Sequence, residues 1–485
     1  MKPHDARGAG PAPRILLSAT LRWPFAGRLA IGFASLGCRV EMLGPRGHPA
    51  QATGRLARLH RASAWRPLHA LRAALEASAP AIVVPCDDTA AMHLAQLHAL
   101  LTVGTGGTGD GGGGSGGAAD AALRACIVRS LGAPQACVLA TRRAALLAWA
   151  GSQGVRVPDT AELADAAALA GWLQQHRLPA VLKRDASWGG QGVEIVHDAA
   201  QARAAFARLS APPSPGPALL HALLDRDPWT LAAALRGDAP QVSVQAHVAG
   251  VPANRAVACR QGQVLAGTSV LALHTQHATG PATVVRIVDN AEMAYTAARL
   301  VGRLGLSGLW GFDFVVDPLT RAATLIEVNP RATPICHLPL GAGHDPVAAL
   351  CASLRGADAA GAARAVQPVA AIGGRLVALF PGEWQRDPAG AALREAHHDR
   401  PDAEPRFVRE CLAPPWAERG LLARAWARLR PRVRPLPPPA PPVRQRTDPP
   451  ALRLVQGPST PPGAGAPRGP VIAIRRPWRA TDESR

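Results

Sequence analysis

Over its first hundred residues the chain alternates short apolar runs with longer stretches of helical period. Arg14-Ile15-Leu16-Leu17-Ser18 reads as a strand, the stretch to Leu36 as a helix, and Arg39-Val40-Glu41-Met42-Leu43 as a second strand. Ala81-Ile82-Val83-Val84-Pro85 reads as a later buried strand, with residues 90–101 as the helix after it. Such alternation predicts a parallel α/β unit over residues 13–103. Asp87 and Asp88 follow the last strand, where open α/β sheets place ligands. Either could equally cap the next helix.

The pattern then changes. Residues 104–117 are almost all glycine, with no Gly-Lys-Ser/Thr after them, and so many glycines hold no single shape. Residues 104–120 are therefore expected to be a flexible linker. Helical periodicity follows to about residue 178, including Arg142-Arg143-Ala144-Ala145-Leu146-Leu147-Ala148-Trp149 and then Gly154-Val155-Arg156-Val157-Pro158. Strand patterns dominate residues 180–330, interrupted by a Pro-edged helical excursion at 212–240 and by a helix at 291–304. A short strand is expected within Gly374-Arg375-Leu376-Val377-Ala378-Leu379-Phe380, in an extension covering 356–412. Residues 413–485 read as a basic, disordered tail with a brief Arg-rich helix at 421–429 and a polyproline run at 435–442.

Composition refines this outline. A length of 485 residues suits two to four domains. No uninterrupted apolar run reaches 18 residues, so no membrane span is expected, and the N-terminus lacks an apolar signal core. Cytoplasm is the expected compartment. The eight cysteines are scattered without a C-x-x-C pair, which argues for buried free thiols over disulfides or zinc. Net charge is +19, but +10 of it falls between Cys411 and Arg485. A nucleic-acid or anionic-membrane partner would have to work through that tail, which has few aromatics, so a solvated extension is the expectation.

Only two of the 53 basic residues are lysines, Lys2 and Lys183. Lys183 leaves an apolar strand, with Gly189-Gly190-Gln191-Gly192 just beyond and a second strand after it. A compact ammonium beside a glycine-rich turn suits the phosphates of a nucleotide; an ordinary surface lysine beside a hairpin has the same local pattern. A second constellation is Gly308-Leu309-Trp310-Gly311-Phe312-Asp313-Phe314-Val315-Val316-Asp317, a turn, then Thr324-Leu325-Ile326-Glu327-Val328-Asn329-Pro330-Arg331. Alternation puts Trp310, Phe312, Phe314 and Val316 on one face, with Gly311, Asp313 and Val315 on the other. It also puts Leu325, Glu327 and Asn329 on a common face. Glu327 and Asn329 opposite Asp313 make a hard-cation arrangement suited to Mg²⁺ and phosphate oxygens. Arg331 points to the same place and suits a transferring phosphoryl group. A structural Glu327–Arg331 ion pair is the alternative.

Taken in order, these segments resemble the ATP-grasp family, of the biotin carboxylase and carbamoyl phosphate synthase large-subunit type, from about residue 143 to 345. The resemblance implies an ATP-grasp fold over 121–355, with residues 180–250 as the smaller lobe, preceded by a Rossmann-like domain at 13–103. It implies that Arg143, Lys183, Gly189, Gly190 and Gly192 hold the triphosphate of ATP. Gln245, with the backbone of Ala246 and Val248, would meet the adenine edge, and Val181, Val315 and Ile326 would flank its ring. Asp313, Glu327 and Asn329 would bind Mg²⁺ or Mn²⁺, and Arg331 and Lys183 would be catalytic. Two positions depart from the family pattern: Arg143 replaces the usual Lys and Gln245 the usual Glu. The implied activity is an ADP-forming ligase joining a small carboxylate to an amine or similar nucleophile. A nucleotide-binding scaffold without turnover is the alternative. His274, His277, His337 and the Asp87/Asp88 pair are the residues that the acceptor could meet.

Overall fold

The computed structural model describes residues 12–103, 115–185, 192–224, 228–237, 240–356 and 373–414. Strands β1 (Arg14–Ser18), β2 (Arg39–Gly44), β3 (Leu56–Arg61) and β4 (Ile82–Pro85) form a parallel sheet in the order β3-β2-β1-β4. Leu16 and Val83 face helices Pro67–Ser78 and Asp88–Val103, while Ile15, Leu17, Ile82 and Val84 face helix Phe25–Ser35. Burial from both sides explains the unbroken apolar runs of β1 and β4. β3 escapes the sequence reading because it is the edge strand, with every position exposed or only half-buried.

Helix Ser115–Leu131 begins inside the glycine-rich run, so residues 115–120 are helical and not part of a linker. Residues 104–114 of that expected linker lie outside the described residues, as do residues 415–485 of the expected tail. Helices Pro134–Thr141 and Arg143–Ser152 follow. A small antiparallel sheet then forms from β5 (Thr160–Leu163), β6 (Ala180–Arg184), β7 (Val193–Val196) and β8 (Val242–Ala246), in the order β5-β8-β6-β7. Helices Ala166–Gln175 and Ala199–Ser210 cover one of its faces. The expected helical excursion is a pair of helices, Pro215–Leu224 and Trp229–Arg236.

The large sheet contains β9 (Val251–Arg260), β10 (Gln263–Thr275), β11 (Ala282–Val288), β12 (Gly308–Val316), β13 (Ala323–Asn329), β14 (Leu376–Ala378) and β15 (His397–His398). Its order is β13-β12-β9-β10-β11-β14-β15. Helix Ala291–Leu304 packs on it, opened by the Asn290 side chain accepting from the Met293 amide and closed by Gly305 in the left-handed region. Trp310, Phe312 and Phe314 are fully buried on one face of β12, as alternation predicts. All eight cysteines are free and buried. Among the described residues no helix is long and apolar enough to cross a membrane.

The β12–β13 pairing corrects one expectation. Asp313 is opposite Glu327, but Phe314 is opposite Leu325, so Ile326 is an extra residue in a β-bulge. The bulge resets the alternation of β13. Leu325 joins Phe314 in the core, while Ile326 and Glu327 are both half-buried. Leu325 therefore does not share a face with Glu327 and Asn329.

Candidate functional site

In the small sheet Ala180, Leu182, Val242 and Val244 face the covering helices. Their neighbours Val181, Lys183, Ser243 and Gln245 are left on the other face, with Lys183 opposite Ser243 and Gln245 between Val181 and Thr160. Lys183 is 5% exposed. Burial, reinforced by the nearby Arg143 charge, pushes its ammonium down to about 8 against the pull of Glu327, Asp313 and Asp185. No described residue hydrogen-bonds or ion-pairs with that ammonium.

Arg143 opens its helix from a buried position. Its guanidinium forks, donating from Nη1 to Asp185 Oδ1 at 2.8 Å and from Nη2 to Glu327 Oε1 at 2.7 Å. The remaining donor, Nε, is buried without a partner among the described residues. Burial raises the Asp185 carboxyl to about 6 even beside Arg143, with Glu327 and Glu162 adding repulsion.

The hairpin carries three oxygen-bearing side chains, Asp313, Glu327 and Asn329. Asp313 faces Glu327 across the strand pair, and Asn329 faces Gly311. A Cβ on Gly311 would fall 2.1 Å from Thr333 Cγ2, so only glycine lets the chain after Asn329 pack here. Asp313 accepts from Asn254 Nδ2 at 2.6 Å and from Asn329 Nδ2 at 2.8 Å. Burial and the facing Glu327 nevertheless raise its carboxyl above the usual range. Glu327 is the opposite case: burial would raise it, but Arg143, Lys183 and Arg331 outweigh burial and hold it low. Arg331 donates from Nε to Asp88 Oδ1 and from Nη2 to Asn329 Oδ1, both at 3.0 Å, and stacks 5.3 Å from the Trp23 ring. The expected alternative of a Glu327–Arg331 ion pair is not the arrangement found, since Glu327 pairs with Arg143 instead.

The donor set at the hairpin is two carboxylates and an amide. Among the described residues no three His, Cys, Asp or Glu side chains cluster as a metal site. Oxygen donors of this kind, with a carboxylate pair whose mutual repulsion a cation would relieve, fit Mg²⁺ or Mn²⁺ bound together with phosphate oxygens. The Lys183 ammonium, which no described residue pairs, fits those phosphates.

The other expected residues fall into three groups. Val181, Val315, Ile326 and Val248 are part-buried, with Val181 on the same face as Lys183. Gln245 is buried, its amide donating to Thr160 Oγ1 at 3.3 Å and to the Ile326 carbonyl at 3.5 Å, and the Ala246 amide donates to the Asp159 carbonyl at 2.8 Å. That amide is not available to a base edge. Gly192 is buried and its carbonyl accepts from Arg184, while Gly189 and Gly190 lie outside the described residues.

The aspartate pair divides its roles. Asp87 is buried and accepts from the Thr20, Leu21 and Ala90 amides, a cap and a loop tie. Asp88 instead meets Arg331 in the site. His274 sits against Arg386 and Glu383, and His337 is buried against Asp399 at 2.8 Å, so neither joins the cluster around Lys183. Asp185 and Asn254 are site residues that the sequence reading passed over. Both had a signal: Asp185 follows Lys183 by two, and Asn254 is an amide in an otherwise largely apolar strand. Asp88, Arg143, Asp185 and Glu327 line a cavity of about 810 Å³.

The sequence profile of the ATP-grasp domain family matches residues 147–334. No curated protein matches the chain. Among solved structures, it is similar to the N5-carboxyaminoimidazole synthetase of Staphylococcus aureus complexed with ADP, at 12% identity, covering 71% of this chain and 78% of that one, with a TM-score of 0.48. It is also similar to a biotin carboxylase complex from Campylobacter jejuni, at 13% identity, covering 75% and 74%, with a TM-score of 0.49. Residues 147–334 of the chain are an ATP-grasp domain.

Proposed function

We propose that the chain is an ATP- and Mg²⁺-dependent ligase that activates a carboxylate as an acyl phosphate and couples it to an amine or similar nucleophile. The observation that carries this reading is the meeting of Lys183, Arg143, Asp313, Glu327, Asn329 and Arg331. They come from segments far apart in sequence and leave one cation without an ion pair among the described residues. In this reading Lys183 and Arg143 neutralise the phosphate oxygens of ATP. Val181, Val315 and Ile326 hold the adenine ring between the two sheets. Asp313, Glu327 and Asn329 would hold the metal ion, which would supply positive charge to offset that of the phosphates.

The substrate carboxylate oxygen then forms a bond to the γ-phosphorus as the bond to ADP breaks. The nucleophile next attacks the acyl carbon, inorganic phosphate leaves, and the amine gives up a proton. Arg331, held by Asp88, Asn329 and Trp23, presents a fixed positive charge to the transferring group. The protein's contribution is mostly positioning and charge stabilisation.

A panel of carboxylates and amines assayed for ADP release tests this. Lys183→Ala and Glu327→Ala are each expected to slow turnover at least about a hundredfold, roughly 2.7 kcal/mol. Unchanged turnover in both variants would contradict the mechanism. A scaffold that binds ATP without turnover is the second reading, favoured by the Gln245 amide already being bonded within the protein. ATP binding with no ADP formed from any pair would establish it.

A further inference from the structure

Resting on the ligase reading, we propose that the cavity of about 810 Å³ is the acceptor site and takes a carboxylate with a second anionic group away from its reacting end. The acids lining the cavity among the described residues are Asp88, Asp185 and Glu327, and each is ion-paired, Asp88 with Arg331 and the other two with Arg143. The remaining charged and titratable lining is Arg66, His69, His93 and Arg236. Arg66 makes no ion pair with a described residue, and Arg236 is close enough to His93 to help burial push that imidazole down to about 4.

The spacing follows from the helix. Asp88 and His93 both lie on helix Asp88–Val103, five residues apart, which is about 7.5 Å along the axis. Leu68 and Met92 add apolar lining. The cavity lining therefore carries, besides the Arg143, Asp185 and Glu327 cluster, two further cations, Arg66 and Arg236. Helix Trp229–Arg236 adds to this lining: Trp229 lies 5.7 Å from the His93 ring, and Arg236 at the helix end lines the cavity. The ligand class this lining recognises is a small acid with two separated anionic groups, the distal one a carboxylate or a phosphate.

Calorimetric titration of the full chain with Mg²⁺ and ADP present tests this, using glutarate, 3-phosphonopropionate and their monoanionic counterpart butyrate. At least one dianion is expected to bind about fivefold or more tightly than butyrate, and the Arg66→Gln/Arg236→Gln double variant is expected to erase that preference. Tighter binding of glutarate assigns a dicarboxylate; tighter binding of the phosphonate assigns a phosphorylated acid. Equal affinities, failure of both dianions to bind, or a preference that survives in the double variant overturns the proposal. MgATP affinity measured alongside separates the failures: its absence in the unaltered protein would overturn the ligase reading itself.

Discussion

Two buried ionic clusters lie in this molecule, and they behave differently. Around Asp399, Arg28 from the first helix and His337 from the chain after β13 close on one carboxylate. Burial would raise that carboxyl, but His337 and Arg28 outweigh it and hold it low. Arg28 and His337 both meet that carboxylate, which ties three distant parts of the chain together, although the buried His337 Nδ1 has no hydrogen-bond partner among the described residues. Around Lys183 the groups are just as buried but not reconciled. Its ammonium is pushed down, Asp185 and Asp313 are pushed up, and Arg143 keeps a buried donor without a partner among the described residues. Buried charge alone therefore does not mark a site. The difference is that Arg143, Asp185 and Glu327 line the cavity of about 810 Å³, and Arg28, His337 and Asp399 do not.

Mutation should separate the clusters. Asp399→Ala leaves Arg28 facing a neutral pocket and is expected to cost about 3–5 kcal/mol of stability in urea unfolding. MgATP affinity should be unchanged. Lys183→Met removes a charge that no described residue pairs, so it should leave stability equal or higher while slowing ADP release about a hundredfold. If Lys183→Met destabilised the fold as much as Asp399→Ala, the contrast would fail.

The pH dependence sharpens the same contrast. Lys183 must keep its proton to bind phosphate, so kcat/KM is expected to fall as pH rises through about 8. For stability the sign is reversed. Unfolded, this lysine holds its proton to 10.5, and folded it loses it near 8. Between those values the unfolded state binds more protons, so stability rises with pH. The stability advantage of Lys183→Met should be constant below pH 8 and shrink between 8 and 10.5, as paired unfolding curves would show. A smaller effect is expected from Asp185, whose carboxyl is raised to about 6. Protonation weakens its hold on Arg143, giving a low-pH limb near 6 that Asp185→Asn should remove from the kcat/KM profile.

Some of this was legible from the chain alone. Helix Ala291–Leu304 was legible at its bounds, and the structure adds the Asn290 cap and the Gly305 stop. Lys183 stood out because the chain otherwise writes arginine. The Asp313–Glu327 opposition followed from the hairpin, and the register agrees. The bulge at Ile326 was not legible, since an extra residue leaves no mark in an apolar strand until the partner is known. Nor was the choice of Glu327 by Arg143 over Arg331. Arg331 is instead engaged by Asp88, 243 positions away in sequence, a contact that no local pattern signals. Asp87 and Asp88 looked equivalent as letters; one turns to the backbone and the other to the site. Edge strand β3 was hidden because half-exposed positions carry no apolar signal.

The most direct test of the central claim is calorimetric titration of MgATP into the unaltered protein, Lys183→Ala and Glu327→Gln under one set of conditions. The account expects saturable binding in the first and about hundredfold weaker binding in both variants, with the Glu327→Gln loss disappearing when Mg²⁺ is withheld. Equal affinities in all three proteins would contradict it.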